Sequence, residues 1–244
     1  MKKAISLLHY QWFTLMKSPK YVMPLILLLV LQLSIYLAIQ ARPVDLLDAI
    51  FLGEFYVFII GIWLGFSANG WNDEITEQLL VLRMKSKVKY DSLYVVFLFI
   101  ICLWISLICV LIPLAMGMIH RGFFAQSVLG SNLLYSFLLF LGSSFSGIAL
   151  GALFHPRLCK DKSSAILYVL LAGVFSIARV AIVSDFEWLK YLLWVFPNIA
   201  SHSEQLSGNL NFSGSAVAQV VTISLLYGAL YSAIKVFMLN KRKY

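Results

Sequence analysis

The sequence predicts an all-α, polytopic membrane protein with six transmembrane helices, and three observations carry that prediction. Of its 244 residues, 61% are hydrophobic and the mean hydropathy is +0.88, a balance outside the range of water-soluble domains. Charge-poor windows of about 19 residues recur along the whole length, each long enough to cross a bilayer. Strand-period alternation is absent, which argues against a β-barrel. The chain, 1–244, reads as one transmembrane domain.

Taken in order, residues 1–20 set Lys2, Lys3, Lys17 and Lys20 around Ile5, Leu8, Trp12 and Leu15. These apolar residues share a helical face, which predicts an N-terminal interfacial helix. A signal peptide competes, but no A-x-A cleavage site follows the apolar run. The spans are expected at about 21–39, 50–68, 93–119, 132–154, 163–184 and 216–239, each a long apolar run bounded by charge. Pro113 is expected to kink the third span. Between spans five and six, Trp188, Tyr191, Leu192 and Val195 share a helical face, with Trp194 and Phe196 before Pro197. That pattern predicts either a short outer re-entrant helix over 185–197 or an aromatic-belt anchor.

Basic residues sort by side. Lys2, Lys3, Lys17, Lys20, Arg83, Lys85, Lys87, Lys89, Arg157, Lys160, Lys162, Lys235, Lys241, Arg242 and Lys243 fall on one side of the predicted bundle. Only Arg42, Arg121 and Lys190 fall on the other. The positive-inside bias then places both termini in the cytoplasm. The net charge of +8 is thereby topological, suited to lipid headgroups, and no nucleic-acid partner is expected because no folded basic domain exists to hold one.

Between spans two and three lies a polar stretch, Gly70–Asp91. Asn72 is expected to cap a helix, with Asp73, Glu74 and Glu77 at its start and Arg83, Lys85 and Lys87 at its end, the order that complements a helix dipole. Ile75, Leu79 and Leu82 recur at helical spacing, flanked by Leu80 and Met84. A dozen or so residues cannot cross a bilayer, which needs about 20. The segment reads as a short amphipathic helix on the cytoplasmic side.

Catalytic patterns are sparse. No Gly-Lys dipeptide occurs, so no phosphate-cradling loop is present and the chain is not expected to be an ATPase or another enzyme. His9, His120, His155 and His202 are scattered, so no metal site is expected. Cys102, Cys109 and Cys159 read as free thiols, and Asn211-Phe212-Ser213 is formally a glycosylation sequon. Gly142-Ser143-Ser144 matches the nucleophile pattern of rhomboid intramembrane proteases, but the sixth span lacks the histidine base they use. Small residues every four positions, Gly61 and Gly65 in one span, Ser143, Gly147 and Gly151 in another, predict close helix packing. Glu54 and Arg179 each sit about one turn inside the outer end of a span. They are expected to pair with each other or to snorkel separately.

Six spans, a lead-in helix and a helix between spans two and three resemble the permease subunits of ABC exporters of the ABC-2 type. The motif that carries the resemblance is an acidic residue (Glu74 or Glu77), Thr76, the pair Leu79-Leu80 and then Arg83. Ile75 stands where a Gly is common, and the Pro usual after the Leu pair is missing. The resemblance implies that Glu74, Ile75, Thr76, Glu77, Leu79, Leu80, Leu82 and Arg83 form a coupling helix that docks on a separate ATP-binding subunit, present in two copies. ATP and Mg would sit in that partner, with no cofactor in this chain. It further implies a second permease subunit, identical or homologous, in a bacterial plasma membrane. The first expected cargo is a hydrophobic or antimicrobial peptide, expelled for export or self-protection. A glycan, lipid or drug exporter, or a stand-alone secondary transporter, are the alternatives.

Overall fold

Short polar signals set where each apolar run turns helical. The computed structural model describes all residues except 1, 39–42, 121, 126, 127, 129, 156, 157, 159, 160, 207–211 and 242–244, together with the side chains of residues 2, 38, 74, 162 and 204. Arg42, Arg121, Arg157, Lys160, Arg242 and Lys243 of the charge count, Cys159, and Asn211 of the sequon therefore lie outside the described residues.

Helix α1 spans Lys2–Lys17, and a 3-10 turn at Pro19–Tyr21 leads into α2, Val22–Ala38. Pro24 falls in the first turn of α2, where its missing N–H leaves no intrahelical bond unmade. Helix α3, Leu46–Ala68, begins a turn earlier than expected because the Asp45 carboxylate accepts from Leu47 N at 2.9 Å and caps it. Helix α4 is Glu74–Met84. Helix α5 runs Lys87–Ile119, its start capped by Ser86, whose hydroxyl accepts from Lys89 N at 3.4 Å. Pro113 lies within α5 without ending it. Helices α6, Gly130–Leu153, and α7, Lys162–Asp185, follow. A 3-10 turn at Glu187–Leu189, α8 at Lys190–Leu193 and α9 at Ala200–Leu206 precede α10, Gly214–Lys241. Six of these elements are long and apolar enough to cross a membrane, over Pro19–Leu37, Leu46–Ala68, Lys87–Ile119, Gly130–Leu153, Ser163–Asp185 and Gly214–Lys241.

The spans run up and down. On the side that holds both termini, Lys20 Nζ donates to Gly70 O at 2.6 Å and Asn69 Nδ2 to Ala152 O at 3.2 Å, joining the start of α2 to the ends of α3 and α6. On the far side, Val44 N donates to Phe123 O at 2.8 Å and Ala125 N to Val44 O at 2.9 Å, tying the α2–α3 link to the α5–α6 link.

The centre of the bundle is the crossing of α3 and α6. A Cβ at Gly65 would fall onto the carbonyl oxygen of Ile148, and one at Gly151 onto that of Ile62. A Cβ at Gly147 would lie 2.5 Å from Phe58 O, and one at Gly61 3.2 Å from Ser144 O. The two backbones touch where side chains would otherwise stand between them, so packing contacts hold helices that gain nothing from water exclusion in lipid. Helix α10 packs on the opposite side of α6, where Gly228 leaves room for the Phe145 ring. Helix α7 is peripheral: 17% of its most apolar stretch is buried, against 72% in α6.

Candidate functional site

The polar stretch between α3 and α5 forms α4, a short helix that is part of none of the six spans. Asp73, one residue later than expected, is its N-cap. The Thr76 hydroxyl donates back to the Asp73 carboxylate and holds it below the ordinary carboxyl range. The helix stops at Lys85, in the left-handed region at φ 59°, and the two-residue corner Lys85-Ser86 starts α5. This geometry sorts the side chains of α4 into two rows. Glu77, Leu80 and Met84 are half-buried, while Ile75, Leu79 and Leu82 are 70%, 61% and 72% exposed. Each of the latter would gain roughly 2 kcal/mol by full burial. Arg83 and, in the first turn of α5, Lys89 are exposed, and the Glu74 side chain lies outside the described residues.

Inward from Glu77, α4 meets a buried polar hub. Lys235 of α10 is 4% exposed, and its ammonium donates to Asn69 Oδ1 at 3.0 Å and lies 4.9 Å over the Tyr94 ring. Tyr94 donates to Ala68 O at 2.6 Å and stacks on Tyr90. Asn72, Glu77, Asp91 and His155 complete the walls of a cavity of about 20 Å³, room for one water molecule. The negative charges of Asp91 and Glu77 act on the Lys235 ammonium and offset part of the cost of its removal from water. Residues of α4, α5 and α10 and the ends of α3 and α6 thus meet at one point.

A second polar cluster lies inside the bundle. Glu54 is within one turn of the middle of α3 and 1% exposed. Its Oε1 accepts from the Ser143 hydroxyl of α6 and lies 2.7 Å from His202 Nδ1 of α9. In the tautomer with the proton on Nδ1, the imidazole donates to Oε1, and its Nε2 faces the Ser224 hydroxyl of α10 at 3.5 Å. Hydroxyl, imidazole and carboxyl follow one another as in a hydrolytic triad, but His202 and Ser224 are only 4% and 3% exposed. In this conformation no substrate reaches them, and the cluster joins α3, α6, α9 and α10 instead.

Compared with known proteins, the chain matches no family model, no curated protein and no solved structure.

Two expectations need correction. Glu54 and Arg179 do not pair: Glu54 is held by Ser143 and His202, while Arg179 Nη1 donates to Phe196 O at 2.7 Å. Each is held elsewhere: Glu54 Oε1 faces α6 and α9 inside the bundle, while the Arg179 guanidinium is drawn to the backbone that follows α8. Ser143, expected with Gly147 and Gly151 to serve close packing, is in addition a hydrogen-bond donor to that carboxyl. The part of the 185–215 segment that enters the bundle is α9, not residues 185–197, whose Trp188, Tyr191 and Leu192 stay 68%, 82% and 66% exposed. Residues 194–196 are irregular, yet their carbonyls are taken in turn by Tyr227, Tyr231 and Arg179. Asn198 then accepts from Ser201 N at 3.3 Å to start α9. His202 is the residue that sequence reading passed over. Ile199, His202 and Leu206, at 1%, 4% and 4% exposure, do share one helical face, a periodicity masked by the polar residues between them.

Proposed function

We propose that this chain is the permease subunit of an ATP-driven exporter of the ABC-2 type, with both termini in the cytoplasm of a bacterium. The observation that carries the reading is α4: a short helix on the side of the termini whose aliphatic row Ile75, Leu79 and Leu82 has no cover among the described residues. Two ATP-binding subunits, each holding ATP and Mg, would each receive one such row in a groove, one from each of two identical or homologous permease subunits. Arg83 and Lys89 would orient the contact against acidic groups on the rim. Glu77 then anchors α4 in the Lys235 hub, so a displacement of the helix is passed to α5 and α10 together. The nearly uncharged spans favour a hydrophobic or amphipathic cargo, with a peptide first and a glycan, lipid or drug next.

The test is recovery of a co-expressed ATP-binding subunit with the tagged chain from mild detergent. Wild type should retain it, and Leu79→Arg should lose most of it while keeping the same elution volume. Equal recovery with the two chains would contradict the docking role.

A stand-alone secondary transporter is the second reading, supported by the Glu54–His202 pair, since buried ionisable groups in a bundle are the means of proton coupling. Proteoliposomes with the chain alone discriminate: uptake driven by a pH gradient without ATP supports this reading over the first.

A further inference from the structure

The far side of α7 carries a cleft of about 900 Å³ that the coupling reading does not use. Its walls include Arg179, Glu187, Trp188, Lys190, Tyr191 and Asn198. Arg179 lies six residues before the end of α7, about 9 Å inside the span at 1.5 Å per residue. In a span of 23 residues, that depth lies inside the hydrocarbon core near its outer edge, from which a side chain as long as arginine reaches a lipid phosphate. Among the described residues no carboxylate pairs with it. Its polar contacts are the Phe196 carbonyl at 2.7 Å and the Tyr227 hydroxyl at 3.5 Å.

Such a cation is expensive in a span unless it reaches water or an anion. Snorkelling is the simple escape, but this side chain is tied down. Arg179 belongs to the group of three side chains that fix the backbone of 194–196, and Tyr227 in turn donates to Trp194 O at 2.5 Å. A guanidinium held at one edge and half-exposed at the other presents its remaining N–H groups to the cleft in a fixed direction. Lys190 adds a second cation above it and Trp188 and Tyr191 add exposed amphipathic rings. Helix α7 is also the span most open to lipid.

We infer that this cleft binds the phosphate of a membrane lipid, with Arg179 as the primary contact and Lys190 as the outer one. The acyl chains would lie on the exposed apolar surface of α7, and Trp188 and Tyr191 would flank the headgroup. Planar guanidinium N–H groups match phosphate oxygens in geometry and charge. The inference is independent of whether an ATPase drives the chain.

Native mass spectrometry of the full chain in detergent tests it, with short-chain phosphatidylglycerol, phosphatidylcholine, diacylglycerol and free glycerol phosphate as probes. Both phosphate-bearing lipids should be retained in preference to diacylglycerol. Arg179→Gln should weaken that retention by roughly tenfold, the worth of a charge-assisted hydrogen bond, and Arg179→Lys less. If Arg179→Gln does not fold, Val183→Trp fills the cleft wall without touching the Phe196 contact and should reduce retention likewise. Equal retention of diacylglycerol, no change in either variant, or binding of free glycerol phosphate as tight as that of the lipids would overturn the proposal.

Discussion

Glu54 is enclosed by Ser143 and His202 because an apolar bundle offers a carboxyl no water, and its lone pairs must find donors among the neighbouring helices. Removing a donor while the carboxyl stays is the severe change. His202→Ala is expected to lower stability by about 2–3 kcal/mol, read as a fall in the thermal midpoint in detergent. Glu54→Gln keeps the size and a hydrogen bond and should cost less. The glycines give a second contrast. Gly65→Ala forces a methyl onto the Ile148 carbonyl and should cost about 3 kcal/mol or destroy the fold. Gly130→Ala, with nothing within 4 Å of its Cβ, should be silent in the same assay. The four-residue spacing of small residues could be read in advance because it is local. The partners of Glu54 could not, since Ser143 and His202 are 89 and 148 positions away. Arg179 was visible as an intramembrane charge, but its true partner is a backbone carbonyl, which no sequence advertises.

Among the elements, the six long runs were legible from length and hydropathy, and their starts shifted by more than two residues only where Asp45 and Ser86 supplied caps. Short helices were harder to place. Helix α4 announced itself by charge order and the Ile75, Leu79, Leu82 spacing, while α9 reads as a polar loop because its seven residues, ASHSEQL, hold one buried row among four polar neighbours. The ends of α4 can be tested separately. Lys85 at positive φ occupies a conformation natural to glycine, so Lys85→Gly should stabilise the corner by up to about 1 kcal/mol, and Lys85→Val should weaken it. At the other end, Thr76 holds the Asp73 carboxyl below its ordinary value of 3.8. A carboxyl lowered on folding stabilises the folded form above its ordinary pKa and loses that contribution as the pH falls through its folded value. The start of α4 should therefore fray only in strong acid. In Thr76→Val, the NMR titration of Asp73 should move to higher pH and fraying should begin earlier on acidification.

For the whole molecule, the two polar clusters divide the labour. Glu54, Ser143, His202 and Ser224 fasten the far half of the bundle, and the Lys235 hub fastens α4 to α5 and α10 on the side of the termini. An element that docks outside and is rigidly rooted inside can pass on a displacement, whereas a loosely tethered one would absorb it. Lys235→Met removes the shared cation. If the proposed exporter reading holds, the variant should leave recovery of a co-expressed ATP-binding subunit unchanged while abolishing cargo-dependent stimulation of its ATP hydrolysis. The account rests first on α4 facing the cytoplasm with its aliphatic row bare. A single cysteine at Leu82, in a chain whose Cys102, Cys109 and Cys159 are replaced by Ser, tests this with a membrane-impermeant maleimide. The expected result is no labelling in intact cells, labelling in inverted vesicles, and protection there when the ATP-binding subunit is present. Labelling from outside intact cells would contradict the account.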